Sequence, residues 1–152
     1  MVSEFSITRS VEFAETDMAG IMHFSNYFRW MEACESAFYR SLGLPMISFV
    51  PGQVVGWPRV SAQCDFRAPL RFGDTVEVRL YVKEIRTRAL VYVFQFRKVV
   101  KNKLEPDVLA QGELVVVCVN NDGKGGMVAT AIPDSFRGKL RMAPKQAWQV
   151  DD

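Results

Sequence analysis

The chain has 152 residues, a formal net charge of +2 and 49% apolar residues, with eleven Phe. That length fits one domain with a sizeable core, and the composition excludes a disordered chain. So small a net charge argues against a nucleic-acid binder built on a broad basic face, while leaving room for a small basic patch that meets a phosphorylated ligand.

Phe5, Ile7, Val11 and Phe13 are apolar at odd positions, with Ser6, Thr8, Ser10 and Glu12 between them. Period two predicts a strand with one buried face. Arg9 breaks the apolar series and places that part of the strand near a sheet edge. No basic region followed by an apolar run precedes Phe13, so no leader is expected.

The stretch from Ala14 to Tyr27 follows. It puts Asp17, Gly20 and the chain's only histidine, His23, in a short loop that ends where an apolar helix begins. A helix start offers free backbone N–H groups and a partial positive charge. A carboxylate beside such donors suits attack on a carbonyl and stabilisation of the resulting oxyanion.

Tyr27, Trp30, Met31, Cys34, Phe38 and Leu42 recur at three- and four-residue steps, which predicts the helix itself. Phe28, Ala33 and Ala37 widen its apolar stripe, and Glu32 and Glu35 fall on its polar side as solvated or ion-paired groups. Ser25 or Asn26 can cap its start, and Gly43 and Pro45 stop it. At ~1.5 Å per residue such a helix reaches roughly the width of a small domain.

Residues 44 to 57 read as a loop rich in Pro, Gly and large apolar groups, and the rest reads as strands. Val60, Ala62, Cys64, Phe66 and Ala68 alternate with polar residues, as do Val76, Val78, Leu80 and Val82. Ala89 to Val100 is apolar on both faces, which fits a central strand or one buried at an oligomer interface, and Leu109 to Val119 is similar. Hairpin-like connections fall at 71–74, 86–88 and 101–107. Residues 120 to 126 form a polar loop, and Pro133 to Leu140 offers one short helical turn. Cys34, Cys64 and Cys118 are far apart and lack metal-binding spacing, so reduced core thiols of a cytoplasmic protein are expected. No apolar run approaches the ~20 residues that span a bilayer, so no membrane partner is expected. One strand, one long helix and four further strands fit an α+β fold: a five-stranded antiparallel sheet curled around the helix, in a single domain over 1–152.

The pattern Thr16-Asp17-x-x-Gly20, followed after five residues by Asn26-Tyr27-x-x-Trp30, resembles the hot-dog-fold acyl-CoA thioesterases, in particular the 4-hydroxybenzoyl-CoA thioesterase type. Phe28-Arg29-Trp30-Met31, Gly43-Leu44-Pro45, Phe72-Gly73-Asp74 and Lys83-Glu84-Ile85-Arg86 extend the similarity over nearly the whole chain. The resemblance implies hydrolysis of an acyl-CoA thioester. Asp17 then acts as nucleophile or as base for water, and the backbone N–H of Phe24 polarises the thioester carbonyl. It implies two protomers whose sheets become continuous, with the site between them, and commonly a dimer of dimers. It also implies that Arg86, Thr87 and Arg88 meet the CoA phosphates.

The residues support that chemistry on their own terms. A thioester carbonyl is already electrophilic, so no metal or cofactor is required. Direct attack by a carboxylate gives a mixed anhydride that water resolves, and proton abstraction from water is the other route. Gly20 lets the loop turn sharply and bring its backbone close to a ligand. Tyr27 belongs to the core first and contacts ligand second, and Trp57 either lines the acyl pocket or closes the core. His23 falls where the relatives more often carry an aromatic residue or Asn. It can serve as an acid for the thiolate, a carbonyl donor or a spacer. Two other classes remain open: a non-catalytic acyl-CoA or acyl-carrier binding module, and a hydratase pairing His23 with Glu32.

Overall fold

A computed structural model gives the fold. It describes residues 1–50 and 53–151, with backbone alone for 48–50 and 53–55. Positions 51 and 52 of the loop expected over 44–57 lie outside the described residues.

In chain order the elements are β1 (Glu4–Ser10), a 3-10 turn (Phe13–Glu15), α1 (Ser25–Ser41), β2 (Ser48–Val50), β3 (Gln53–Val55), β4 (Arg59–Phe66), β5 (Thr75–Ile85), β6 (Ala89–Val100), β7 (Lys103–Leu104), β8 (Ala110–Val117), β9 (Val119–Asn121), β10 (Met127–Ala129), α2 (Asp134–Arg137) and α3 (Lys145–Trp148). One antiparallel sheet runs β1-β5-β6-β8-β4, and β7 extends it as a short hairpin arm on β6. Two small hairpins, β2–β3 and β9–β10, stand beside it. The five main strands and the single long helix are those expected from the alternating and 3.6-residue patterns.

The sheet wraps α1. Trp30, Met31, Cys34, Phe38 and Tyr39 of the helix are almost wholly buried, facing Val78, Leu80, Tyr92, Phe94 and Phe96. Gly112 permits the closest approach, because a Cβ there would stand 1.9 Å from Met31 Cε and 3.3 Å from the Gln63 carbonyl. The Tyr39 and Tyr92 hydroxyls bond each other at 2.7 Å, so neither is left unpaired in the core.

Several expectations change. β1 stops at Ser10, its last pair being with Thr75, and the chain then turns. Val11 is buried, but Phe13 is 76% exposed. β4 alternates as expected yet buries little: Val60 is 62% and Phe66 49% exposed, because β4 is one of the two edge strands of the sheet. The turn at 71–74 is not a hairpin. β4 pairs with β8 and β5 with β1, so residues 67–74 carry the chain from one edge of the sheet towards the other. β8 buries alternate residues rather than both faces. The second face of β6 is covered by this chain's own C-terminal segment, where Ala143 and Trp148 pack on Tyr81 and Val93. Neither Ser25 nor Asn26 caps α1: Ser25 is its first residue, and Asn26 is buried with its side-chain amide donating to the Glu15 carbonyl at 2.9 Å. Glu35 is not on the solvated side. It is fully buried, four residues from Met31 and four from Tyr39, and pairs with Arg59 at 2.7 Å.

Candidate active site

The loop between β1 and α1 is tied down mainly by Glu15. Its carbonyl accepts the His23 N–H at 2.8 Å and the Asn26 amide at 2.9 Å. Its carboxylate accepts the Trp30 indole N–H at 2.8 Å and the Glu12 N–H at 2.9 Å. This residue fixes the loop to the helix, yet nothing in the sequence pattern marks it except its place two residues before Asp17.

Asp17 opens a tight turn. Its N–H donates to the Ile21 carbonyl at 2.9 Å, and its carbonyl accepts from Gly20 at 3.0 Å. Gly20 has φ +81°, a left-handed conformation that glycine adopts without strain. The Asp17 side chain bends back so that Oδ1 accepts N–H bonds from Ala19 at 2.9 Å and Ile21 at 3.4 Å. Oδ2 has no partner among the described residues.

The helix start supplies the complementary donor. The Ser25 N–H bonds His23 Nδ1 at 3.3 Å, the Asn26 N–H bonds the His23 carbonyl at 3.0 Å, and the Tyr27 N–H bonds the Phe24 carbonyl at 3.2 Å. The Phe24 N–H alone has no acceptor among the described residues. It stands at the positive end of a 17-residue helix.

Asp17 and Phe24 line one cavity of about 500 Å³, together with Ile21, Met22, Tyr27, Phe66, Arg67, Ala68 and Pro69. Tyr27 lies between the rings of Phe66 and Phe96, and burial pushes its phenol up to about 12. On its other side Asp17 borders a second, more polar cavity of about 700 Å³ that includes Thr16, His23, Ser25, Asn26 and Arg29.

Other sequence candidates are not brought here. The exposed turn Arg86-Thr87-Arg88 joins β5 to β6 at the end of the sheet away from Asp17. Arg137 donates to the Arg86 carbonyl at 2.6 Å and to the Thr87 carbonyl at 3.3 Å, holding the turn in place. β5 spans 11 residues between the two ends, a separation of about 33 Å at ~3.3 Å per residue. Trp57 lies at that far end too. It is 4% exposed and stacked near Tyr39 and Phe136, with ring centroids at 6.0 and 5.2 Å. Within this protomer Trp57 closes the core and does not line the Asp17 cavity.

The family profile of the thioesterase-like superfamily matches residues 11–140, and the chain belongs to that family. The sheet wrapped around its helix is the hot-dog fold. The chain is 31% identical over 99 residues to a 1,4-dihydroxy-2-naphthoyl-CoA hydrolase of Prochlorococcus marinus strain NATL1A, covering 60% of this chain and 66% of that one. It is 30% identical over 93 residues to the 4-hydroxybenzoyl-CoA thioesterase of Pseudomonas sp. strain CBS-3, again covering 60% and 66%. The matches thus span slightly under two thirds of the length of these curated relatives. A solved gentisyl-coenzyme A thioesterase superposes with a TM-score of 0.73 at 30% identity, over 88% of this chain and 99% of that one.

Proposed function

We propose that this protein is an acyl-CoA thioesterase, releasing a free acid and CoA, with an aromatic acyl group seated in the cavity that Asp17 and Phe24 share. The observation that carries the reading is that a carboxylate oxygen and a helix-start N–H, both without protein partners among the described residues, border one largely apolar cavity. The rings of Phe24, Tyr27 and Phe66 in its lining favour a flat acyl group. The relatives named above act on dihydroxynaphthoyl, hydroxybenzoyl and gentisyl thioesters.

In this mechanism Asp17 either attacks the thioester carbon or takes a proton from the water that does. Negative charge then develops on the carbonyl oxygen, and the Phe24 N–H receives it. One such donor is typically worth ~3–4 kcal/mol of barrier. Collapse restores the C=O bond and breaks the C–S bond.

The open edge of β4 supports a homodimer. Antiparallel pairing of β4 with a second copy would make the sheets continuous. It would bring the Phe66 end of one strand beside the Arg59 end of the other. The second copy's Trp57 and Arg86-Thr87-Arg88 would then approach this protomer's Asp17 cavity, as a site between protomers requires. A dimer of dimers is a further step of assembly.

A panel of aromatic, short and long acyl-CoAs, assayed for release of free thiol, tests the activity and its acyl preference together. Turnover fastest on aromatic acyl groups is expected. Binding without thiol release from any member would instead make the protein a carrier of acyl-CoA on the same fold.

A further inference from the structure

The polar cavity on the other side of Asp17 holds the one histidine in a defined form. Two donors from Ser25 reach its Nδ1, the backbone N–H at 3.3 Å and the hydroxyl at 2.8 Å. A backbone N–H can only donate, so Nδ1 accepts, and the hydrogen of the neutral ring resides on Nε2. The ring is stacked on Phe24, with centroids at 4.7 Å and an angle of 33°, which fixes its plane. Nε2 has no partner among the described residues, and the ring borders the cavity that Asp17 also borders.

We propose that His23 is a catalytic hydrogen-bond donor to the departing sulfur, and that the thiol arm leaves through this polar cavity. The inference rests on the thioesterase reading above. When the tetrahedral adduct collapses, the C–S bond breaks and its electron pair stays on sulfur. The thiolate accepts a hydrogen bond from Nε2–H and then takes its proton from water, so His23 begins and ends the step neutral. Held by the Ser25 N–H, the ring supplies a donor already in place as charge appears.

A donor to the leaving group matters in proportion to the basicity of that group. CoA departs as an alkyl thiolate, as basic as a cysteine thiolate with a pKa of about 8.5. A nitrothiophenolate is a far weaker base and departs without help. The test therefore compares benzoyl-CoA with the S-(4-nitrophenyl) ester of thiobenzoic acid for wild type, His23→Phe, His23→Gln and His23→Asn. A lost hydrogen bond to an ion predicts that His23→Phe lowers kcat/KM on benzoyl-CoA by about tenfold to a hundredfold, with less than about threefold change on the nitrothiophenyl ester. His23→Gln, which keeps an N–H at similar reach, is expected to recover part of the loss. His23→Asn keeps an acceptor for the Ser25 N–H but is too short to meet the sulfur, so it shows the same split as Phe in a protein whose helix start is intact. Equal losses on both substrates, or no loss on benzoyl-CoA, would overturn the role of His23. Asp17→Asn, run alongside, separates the two readings. If it stops hydrolysis of both esters while the His23 ratios stay flat, only the His23 assignment fails. If it hydrolyses both, the underlying mechanism fails as well.

Discussion

At the scale of single residues, the site depends on backbone geometry as much as on side-chain identity. The turn that aims Asp17 closes through the Gly20 N–H and needs φ +81° at Gly20. The carbonyl of the same glycine lies 3.5 Å from Arg71 Nη1. A Cβ at Gly20 meets only that flexible arginine, 3.9 Å away, so conformation rather than space is the constraint. Gly20→Ala is expected to cost about 1–2 kcal/mol in denaturant unfolding. It should lower turnover by more than the stability loss explains, because the strain falls on the turn that carries Asp17. Unchanged kcat/KM in a destabilised Gly20→Ala protein would separate the turn from the chemistry. Asp17, Gly20, His23 and the helix start were all legible as a group, since their spacing is short and local. Glu15 was not, because its bonds to His23, Asn26 and Trp30 form only when the helix folds back on the loop.

At the scale of elements, two of the contacts between α1 and the sheet make measurable predictions. Gly112 lies under Met31, so Gly112→Ala is expected to destabilise the fold by about 1–3 kcal/mol through overpacking. Combining it with Met31→Ala should cost less than the sum of the two single changes, read by denaturant titration; strict additivity would contradict the contact. The second contact is Glu35 with Arg59. Burial of Glu35 pushes its carboxyl up to about 7, and the Arg59 guanidinium only partly opposes that. Its second oxygen has no partner among the described residues, which leaves the charge poorly compensated. A carboxyl whose pKa is higher in the folded protein favours folding while protonated. Its contribution is full below the unfolded value of about 4.5 and is lost as pH rises through about 7. That amounts to about 3 kcal/mol. Glu35→Gln should flatten the fall in stability between pH 5 and pH 8, and an unchanged slope would remove Glu35 as its source. The helical period alone could have flagged this residue, since Glu35 shares a face with Met31 and Tyr39. An acidic side chain nevertheless reads as solvated until a partner 24 residues away is known.

At the scale of the whole molecule, the five strands and the enclosed helix follow from patterns written along the chain, while the order of the strands in the sheet, and so which of them form its edges, does not. β6, apolar on both faces, reads as a central strand and is one, whereas the alternation of β4 resembles that of β5 and does not mark β4 as an edge strand. Its edge position is set by long-range pairing with β8. The second face of β6 could be read as an oligomer interface because nothing local tells that residues 143–148 fold over it. The free edge of β4 is where a second copy is expected. Val60→Asp combined with Ala62→Asp places like charges along that edge, away from the residues that line the Asp17 cavity. The variant should sediment as a monomer and lose acyl-CoA hydrolysis, because Arg86-Thr87-Arg88 of the same chain lies at the other end of β5 from the Asp17 cavity. A fully active monomer would contradict a site shared between copies.

Asp17 shares one cavity with the Phe24 N–H, which has no acceptor among the described residues. The most direct measurement sets acyl-CoA binding by calorimetry beside thiol release, for wild type and Asp17→Asn at the same pH. The amide keeps the turn's hydrogen bonds but has no anionic oxygen. Affinity within a few-fold of wild type and release slowed by about a thousandfold or more are expected, the scale of a lost nucleophile or base. Release within tenfold of wild type, with the fold intact, would contradict Asp17 as that nucleophile or base.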